Sequence, residues 1–278
     1  ATYLWRGFIT DANYVAEQST STVYLTSVDG FSRLASASIY NQTFSEEYTG
    51  IRVANVLDLA SVDYPDESSP LDRDIDYGSI KASAASGVTA TALDYIQQLA
   101  RTENGRFLIN QAGTPSATNF GGIASYYAIN ASTVDHGVTI SDAVTLATGS
   151  VEAQSLGLEW GSELLYNSYE FTPKAGAVQT GTRAASIAKY GERVIKRTLL
   201  SDTGDSDEAG LYFIGLFDEP ALRVSSVVVS IDSATTLSAE KLLHLGVMSA
   251  MDLSYLPPGS SVTLNSALVI EGVALDIG

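Results

Sequence analysis

In TALDYIQQLARTENGRFLINQAG, residues 91–113, a helix signal runs into a strand signal with almost no loop between them. No other stretch restricts the possible folds as strongly. Leu93, Ile96, Leu99 and Ala100 recur at helical spacing and form one apolar face. Thr89 or Thr91 is placed to cap the start, and Arg101 falls in the last turn, where a cation suits the helix dipole. Asn104-Gly105 supplies the stop, because both residues tolerate the left-handed backbone of a helix C-terminus. RFLIN then reads as a short strand and QAG as a turn. The unit is built for packing and carries no chemistry of its own.

The flanking sequence extends this mixture. TYLWRGFITD and STSTVYLTSVD form an expected antiparallel strand pair, with Val23, Leu25 and Ser27 on one face and Tyr24, Thr26 and Val28 on the other. GFSRLASAS reads as a short helix packing Phe31 and Leu34. SEEYTGIRVANVLDLAS reads as a longer helix capped by Ser45, with Ile51, Val53, Val56, Leu57 and Leu59 in the core. Residues 61–79 are rich in Asp, Ser and Pro and predict an acidic loop with little core. Residues 111–150 predict β-hairpins with long turns. Beyond 150 strands dominate, clearest in LRVSSVVVSID, and helices are expected near 181–190 and 204–218, the latter stopping at Pro220. LSAEKLLHLG reads as another short helix, and SSVTLNSALVIEGVALDIG as a closing hairpin around Asn265-Ser266 or nearby. With no regular βαβ alternation, the class is α+β, mostly antiparallel β with short helices packed on the sheets.

Charge excludes some functions. Fifteen basic against 32 acidic residues give −17, which disfavours a surface gripping nucleic acid phosphates or an anionic membrane. The absence of cysteine excludes disulfides, thiolate zinc sites and cysteine nucleophiles. No apolar run approaches the ~18 residues a membrane span needs. The start, ATYLWRGFIT, lacks the pattern of a signal peptide and reads as a strand. It suggests either loss of an initiator methionine or a chain that begins inside a larger protein.

Candidate sites are weak one by one. His136 and His244, the two histidines, are far apart, and Asp135 beside His136 points to the opposite face of a strand. No Gly-x-Ser-x-Gly elbow, His-Glu-x-x-His pair or phosphate loop is present. Asp202, Asp205, Asp207 and Glu208 could supply oxygen ligands to calcium, but their spacing suits an acidic helix start better. Asp63, Asp66, Glu67, Asp72, Asp74 and Asp76 could pair as glycosidase carboxylates, although a solvated loop explains them more simply. Tyr126 and Tyr127 could stack on sugars, or be core and strand-face residues. No catalytic, cofactor-binding or metal residue is assigned from this pattern, and no cofactor is expected.

The order of the segments is more informative than any single residue. YLWRGFIT, STVYLTSVDGFSRLAS, IRVANVLDLASV and GSIKASAASGVTATALDYIQQLARTENGRFLINQAG resemble, in succession, the minor tail proteins of long-tailed actinobacteriophages. They are similar, more distantly, to baseplate hub proteins of contractile tails. The helix pattern is carried by Ala92-Leu93-Asp94, Ile96, Gln98-Leu99-Ala100, Thr102-Glu103 and Gly105, followed by Phe107-Leu108-Ile109. LGLEWGSELLYNSYEFT, QTGTRAASIAKYGERVIKRTLLSD, LRVSSVVVSI and VIEGVALDI continue the resemblance in order. It covers 1–110 and 155–278, while 111–154 departs from it.

The resemblance implies a non-enzymatic virion protein at the distal end of the tail, taking part in host attachment and genome delivery. It implies β-barrel or sandwich units similar to tail-tube subunits. The first β segment of such a barrel would lie at 1–44, a helix-rich module at 45–115 and a second β-rich region at 116–278. Implied partners are the tail tube, the distal tail protein, the tape measure and further copies in a trimer or ring, with DNA only passing through an acidic lumen. A receptor- or glycan-binding tail module and, below it, a wall-degrading hydrolase acting through residues 63–76 are the competing expectations.

Overall fold

The computed structural model describes residues 8–16, 21–66, 73–110, 122–128, 134–141, 150–161, 163–230, 241–243, 245–256, 261 and 263–274. The chain divides into two compact units, 1–131 with 165–219 and 132–164 with 220–278. The class is α+β with mostly antiparallel sheets, as expected.

The first unit opens with strands β1 (Phe8–Ala16) and β2 (Ser21–Val28), an antiparallel pair in which Tyr14 faces Val23 and Ala12 faces Leu25. Helix α1 (Gly30–Ser36) follows, capped by the Asp29 carboxylate accepting from the Phe31 amide, with Leu34 fully buried. Then come β3 (Ser38–Phe44), β4 (Glu47–Tyr48), α2 (Thr49–Leu57), β5 (Arg73–Ile75), β6 (Lys81–Ala82) and β7 (Ala85–Thr91). The junction that dominated the sequence is α3 (Ala92–Glu103) leading into β8 (Arg106–Asn110). The Thr91 hydroxyl caps α3 by accepting from the Asp94 amide, and Asn104 ends it at φ 55°. Strand β8 pairs antiparallel with β9 (Ile123–Tyr127), which also pairs parallel with β5.

Leu34, Val53, Val56, Leu57, Ile96 and Leu99 are all sealed from solvent in one cluster that joins the three helices to these strands. Each such aliphatic side chain contributes about 1.5–3 kcal/mol by burial. After residue 164 the same unit adds β12 (Ser168–Thr172), β13 (Gln179–Thr182), α4 (Ala184–Tyr190), β14 (Val194–Thr198) and α5 (Thr203–Phe217). β12 is central, antiparallel to β13 and parallel to β14. Tyr169 and Phe171 pack with Leu199, Ala209 and Ile214 in a second cluster. The Tyr169 ring occupies space that a Cβ at either Gly181 or Gly210 would need, so those glycines allow α5 to close on the sheet.

Among the described residues, the second unit holds a five-stranded sheet of β10 (Val134–Ser141), β11 (Ser150–Gly161), β15 (Ala221–Val229), β16 (Ser249–Tyr255) and β17 (Leu264–Val269), in the order β15-β11-β10-β16-β17. Val138, Ile140, Val151 and Leu253 form its buried cluster.

Four expectations are corrected. Ser45 does not cap α2, because Glu47–Tyr48 first pairs with Lys81–Ala82 as a short strand and the helix begins only at Thr49. Residues 61–79 are more than a solvated loop: Val62 and Tyr64 are buried, and residues 73–75 join a sheet. β10 and β11 are parallel neighbours rather than arms of a hairpin. Asn265 and Ser266 lie inside β17 opposite Ser254 and Leu253, so the chain has no turn there. In LSAEKLLHLG, residues 241–243 are helical, while 237–240 and 244 lie outside the described residues. Among the described residues no helix is long and apolar enough to cross a membrane.

Candidate functional site

Among the described residues of the first unit, two charged side chains are completely buried. Arg52, on α2, donates to the Glu47 carboxylate, the Tyr95 hydroxyl at 2.9 Å and the carbonyls of Ser45, Ala82 and Ser83, and its guanidinium lies over the Phe44 ring. Glu103, at the end of α3, accepts from the Thr49 hydroxyl, the Ser79 amide and the Tyr126 hydroxyl. A buried charge is tolerable only when its hydrogen-bonding capacity is satisfied, and both residues meet that condition. Burial, followed by the nearby Glu103 charge, pushes the Tyr126 phenol well above its ordinary range. These groups tie α2, α3, β9 and the 77–83 segment together without presenting a reacting atom to solvent.

The carboxylates singled out from sequence are dispersed among structural tasks. Asp202 caps α5, accepting from the Asp205 amide at 3.0 Å. Asp205 accepts from the Lys81 amide at 2.8 Å, Asp207 accepts from the Tyr169 hydroxyl, and Glu208 is exposed. Among the described residues no three potential ligands converge on a metal position. In the other acidic segment, Asp63 pairs with Arg33 at 3.8 Å, and Asp76 accepts from the Ala128 amide at 3.1 Å. Asp74 is raised above the usual carboxylate range by partial desolvation and then by Asp76. Asp66 is exposed, while Glu67 and Asp72 lie outside the described residues.

Tyr126 is fully buried and offers no stacking face, whereas Tyr127 is half-buried, its hydroxyl accepting from Asn110 at 3.1 Å. His136 belongs to β10 but its side chain is not among the described ones, and His244 lies outside the described residues.

One surface escaped the sequence reading. Residues 174–197 hold six basic residues and one acidic residue, +5 in a chain of −17. Helix α4 crosses from β13, at one edge of its sheet, to β14 at the other. Buried Asn167 fixes the crossing, donating to the Ser186 hydroxyl at 3.1 Å and the Gly191 carbonyl at 2.8 Å while accepting from the Arg193 amide at 2.7 Å. Arg183, Lys189, Arg193 and Lys196 are consequently exposed. Lys196 pairs with Glu170 at 2.6 Å, and Arg197 stacks over Phe213 beside an open depression lined by Glu170, Thr172 and Thr198. The local charge density was legible in the sequence, whereas Asn167 carried no sequence signal.

No family model matches the chain, and no curated protein does so at a significant level. Solved structures do. The tail protein of Neisseria meningitidis MC58 superposes with a TM-score of 0.57 at 8% identity, covering 95% of this chain and 72% of the other. The prophage tail protein gp18 of Listeria monocytogenes EGD-e gives 0.52 at 10% identity, covering 95% and 70%. The 43 kDa tail protein of prophage MuSo2 from Shewanella oneidensis gives 0.52 at 12% identity, also covering 95% and 70%. At such identities the likeness is one of fold, and it spans nearly the whole chain.

Proposed function

We propose that this chain is a structural component of a bacteriophage tail, a minor tail or hub protein at the distal end of the tube. The carrying observation is the fold shared with three tail proteins over 95% of the chain. The ordered succession of hub-like segments, from YLWRGFIT to VIEGVALDI, supports the finer placement. In this role it contacts the tail tube, the distal tail protein and the tape measure, assembles with further copies of itself as a trimer or ring, and contributes to host attachment and genome delivery without catalysis.

The internal organisation suits such work. Arg52 and Glu103 brace the helix-rich part through internal bonds, which favours a body that keeps its shape while bearing load. Cryo-electron microscopy of intact tails, fitted with this chain, tests the reading. Density with threefold or sixfold symmetry at the tube end is the expected result. Density only on peripheral arms would move the protein to receptor binding, and absence from the particle would end the proposal.

A further inference from the structure

We propose that the β1–β2 ribbon of one copy packs its apolar face onto the outward side of α5 in a second copy of this chain, head to tail. The inference rests on the tail-assembly reading and adds to it the two surfaces that meet.

The ribbon lacks the support that a pair of strands needs. β1 and β2 form a two-stranded sheet of their own, and among the described residues none of their side chains enters a buried cluster. Such a pair is marginal in water and becomes stable when its apolar face packs against a helix or further strands. The register sets Ile9 opposite Ser27 and Ala12 opposite Leu25, so Ile9, Ala12, Val23 and Leu25 share one face. Asp11, Asn13, Thr22 and Thr26 occupy the other. Ile9, Val23 and Leu25 are nevertheless 64, 55 and 59% exposed.

Helix α5 has the complementary defect. Its inward side buries Ala209, Phe213 and Ile214, while Leu211, Tyr212 and Leu216 on its outward side are 45, 44 and 60% exposed. A helix that is apolar all round is normally covered all round. Gly215, exposed among these three, has no side chain to hold a partner away. Both surfaces belong to the same compact unit and both stand open in one chain, so a ribbon does not cover its own α5.

A second copy supplies the cover that each surface lacks, because helix on sheet is a stable pair of layers. With the residues that flank them, the two surfaces bury roughly 1,000 Å² in all, the size at which a specific interface begins. Asp11, on the far face, is the one charged residue of the two strands. Chains of −17 therefore meet here without pressing like charges together. Because ribbon and helix are different surfaces, the contact is heterologous: it repeats from copy to copy and closes into a ring when the rotation permits.

Sedimentation of the whole chain over a concentration series tests the proposal. The wild type should self-associate, and raising salt from about 0.05 M to about 0.5 M should leave the association intact or strengthen it, since screening removes repulsion between acidic chains. Val23→Lys with Leu25→Lys should weaken it at least about a hundredfold, as should Leu211→Lys with Leu216→Lys. Each double variant keeps one surface intact. A mixture of the two should therefore form a pair of chains and stop there, which misfolded proteins cannot do.

A wild-type chain that stays monomeric throughout overturns the proposal, as does association lost at high salt. Association retained by either double variant alone would mean that like surfaces meet, and also overturns it. Binding of the wild type to phosphatidylcholine vesicles, lost in Val23→Lys/Leu25→Lys, would overturn it in favour of a lipid surface. The tail map judges the underlying reading separately. A ring at the tube end with failed variants removes only this contact, whereas a paired mixture with no chain in the particle removes only the tail assignment.

Discussion

The buried charges of α2 and α3 and the basic edge of α4 and β14 use the same chemical groups to opposite ends. Arg52 directs its donors to a carboxylate, a phenol and three carbonyls, and Glu103 receives three donors from separate segments. Lys189, Arg193 and Lys196 instead face solvent, held by a backbone that Asn167 pins from beneath. Inward charges determine how segments lock together, because leaving any of them unpaired in low dielectric is costly. Outward charges contribute little to stability, since water and salt screen them, and are therefore free to serve recognition.

This contrast yields a descending series of effects. Arg52→Ala should cost the most, roughly 3–5 kcal/mol in denaturant unfolding, because Glu47 and the carbonyls lose their common donor. A loss under about 1 kcal/mol would mean that water replaces the guanidinium and that the contrast is weaker than drawn. Glu103→Gln should cost about 1–3 kcal/mol, since one of the two oxygens that accept from Thr49, Ser79 and Tyr126 becomes an NH2 group facing donors. Unchanged melting of that variant would show that an acceptor of either charge suffices.

On the outward side, Lys196→Ala should shift stability by no more than about 1 kcal/mol, despite its 2.6 Å pair with Glu170. A larger loss would make that pair part of the fold rather than of the surface. Asp74→Asn gives the smallest effect, and its sign depends on pH. The folded pKa is raised by desolvation and by Asp76, so the fold favours the protonated form. That contribution is fully present below the unfolded value of about 3.9 and is lost as pH rises through the folded value. The neutral Asn variant should therefore match the wild type near pH 3 and exceed it slightly at pH 7, by a few tenths of a kcal/mol. Thermal melts at both pH values would check this, and a less stable variant at pH 7 would reveal a partner holding the carboxylate.

Local signals were readable wherever a residue and its partner are close in sequence. The Thr91 cap, the Asn104 stop, the β1–β2 pairing and the acidic start of α5 all depend on neighbours within a few residues or on simple alternation. Ser45 misled because a two-residue strand paired with a segment more than thirty residues away. The 61–79 segment misled because its polar composition conceals Val62 and Tyr64, whose core contacts come from other parts of the chain. Parallel pairing of β10 with both β11 and β16 left no local trace, since side-chain alternation does not specify strand direction.

By itself the sequence determined the α+β class, the helix-to-strand junction at 91–110, the charge imbalance and the absence of thiol chemistry, because each follows from composition or short-range periodicity. Only the tertiary structure decided which charges are internal. The burial of Arg52 and Glu103, the inward turn of Tyr126 and the exposure of the 183–196 cations each arise from contacts between residues distant in the chain. Burial and hydrogen-bond satisfaction depend on surroundings assembled by the whole unit, and no local pattern encodes them.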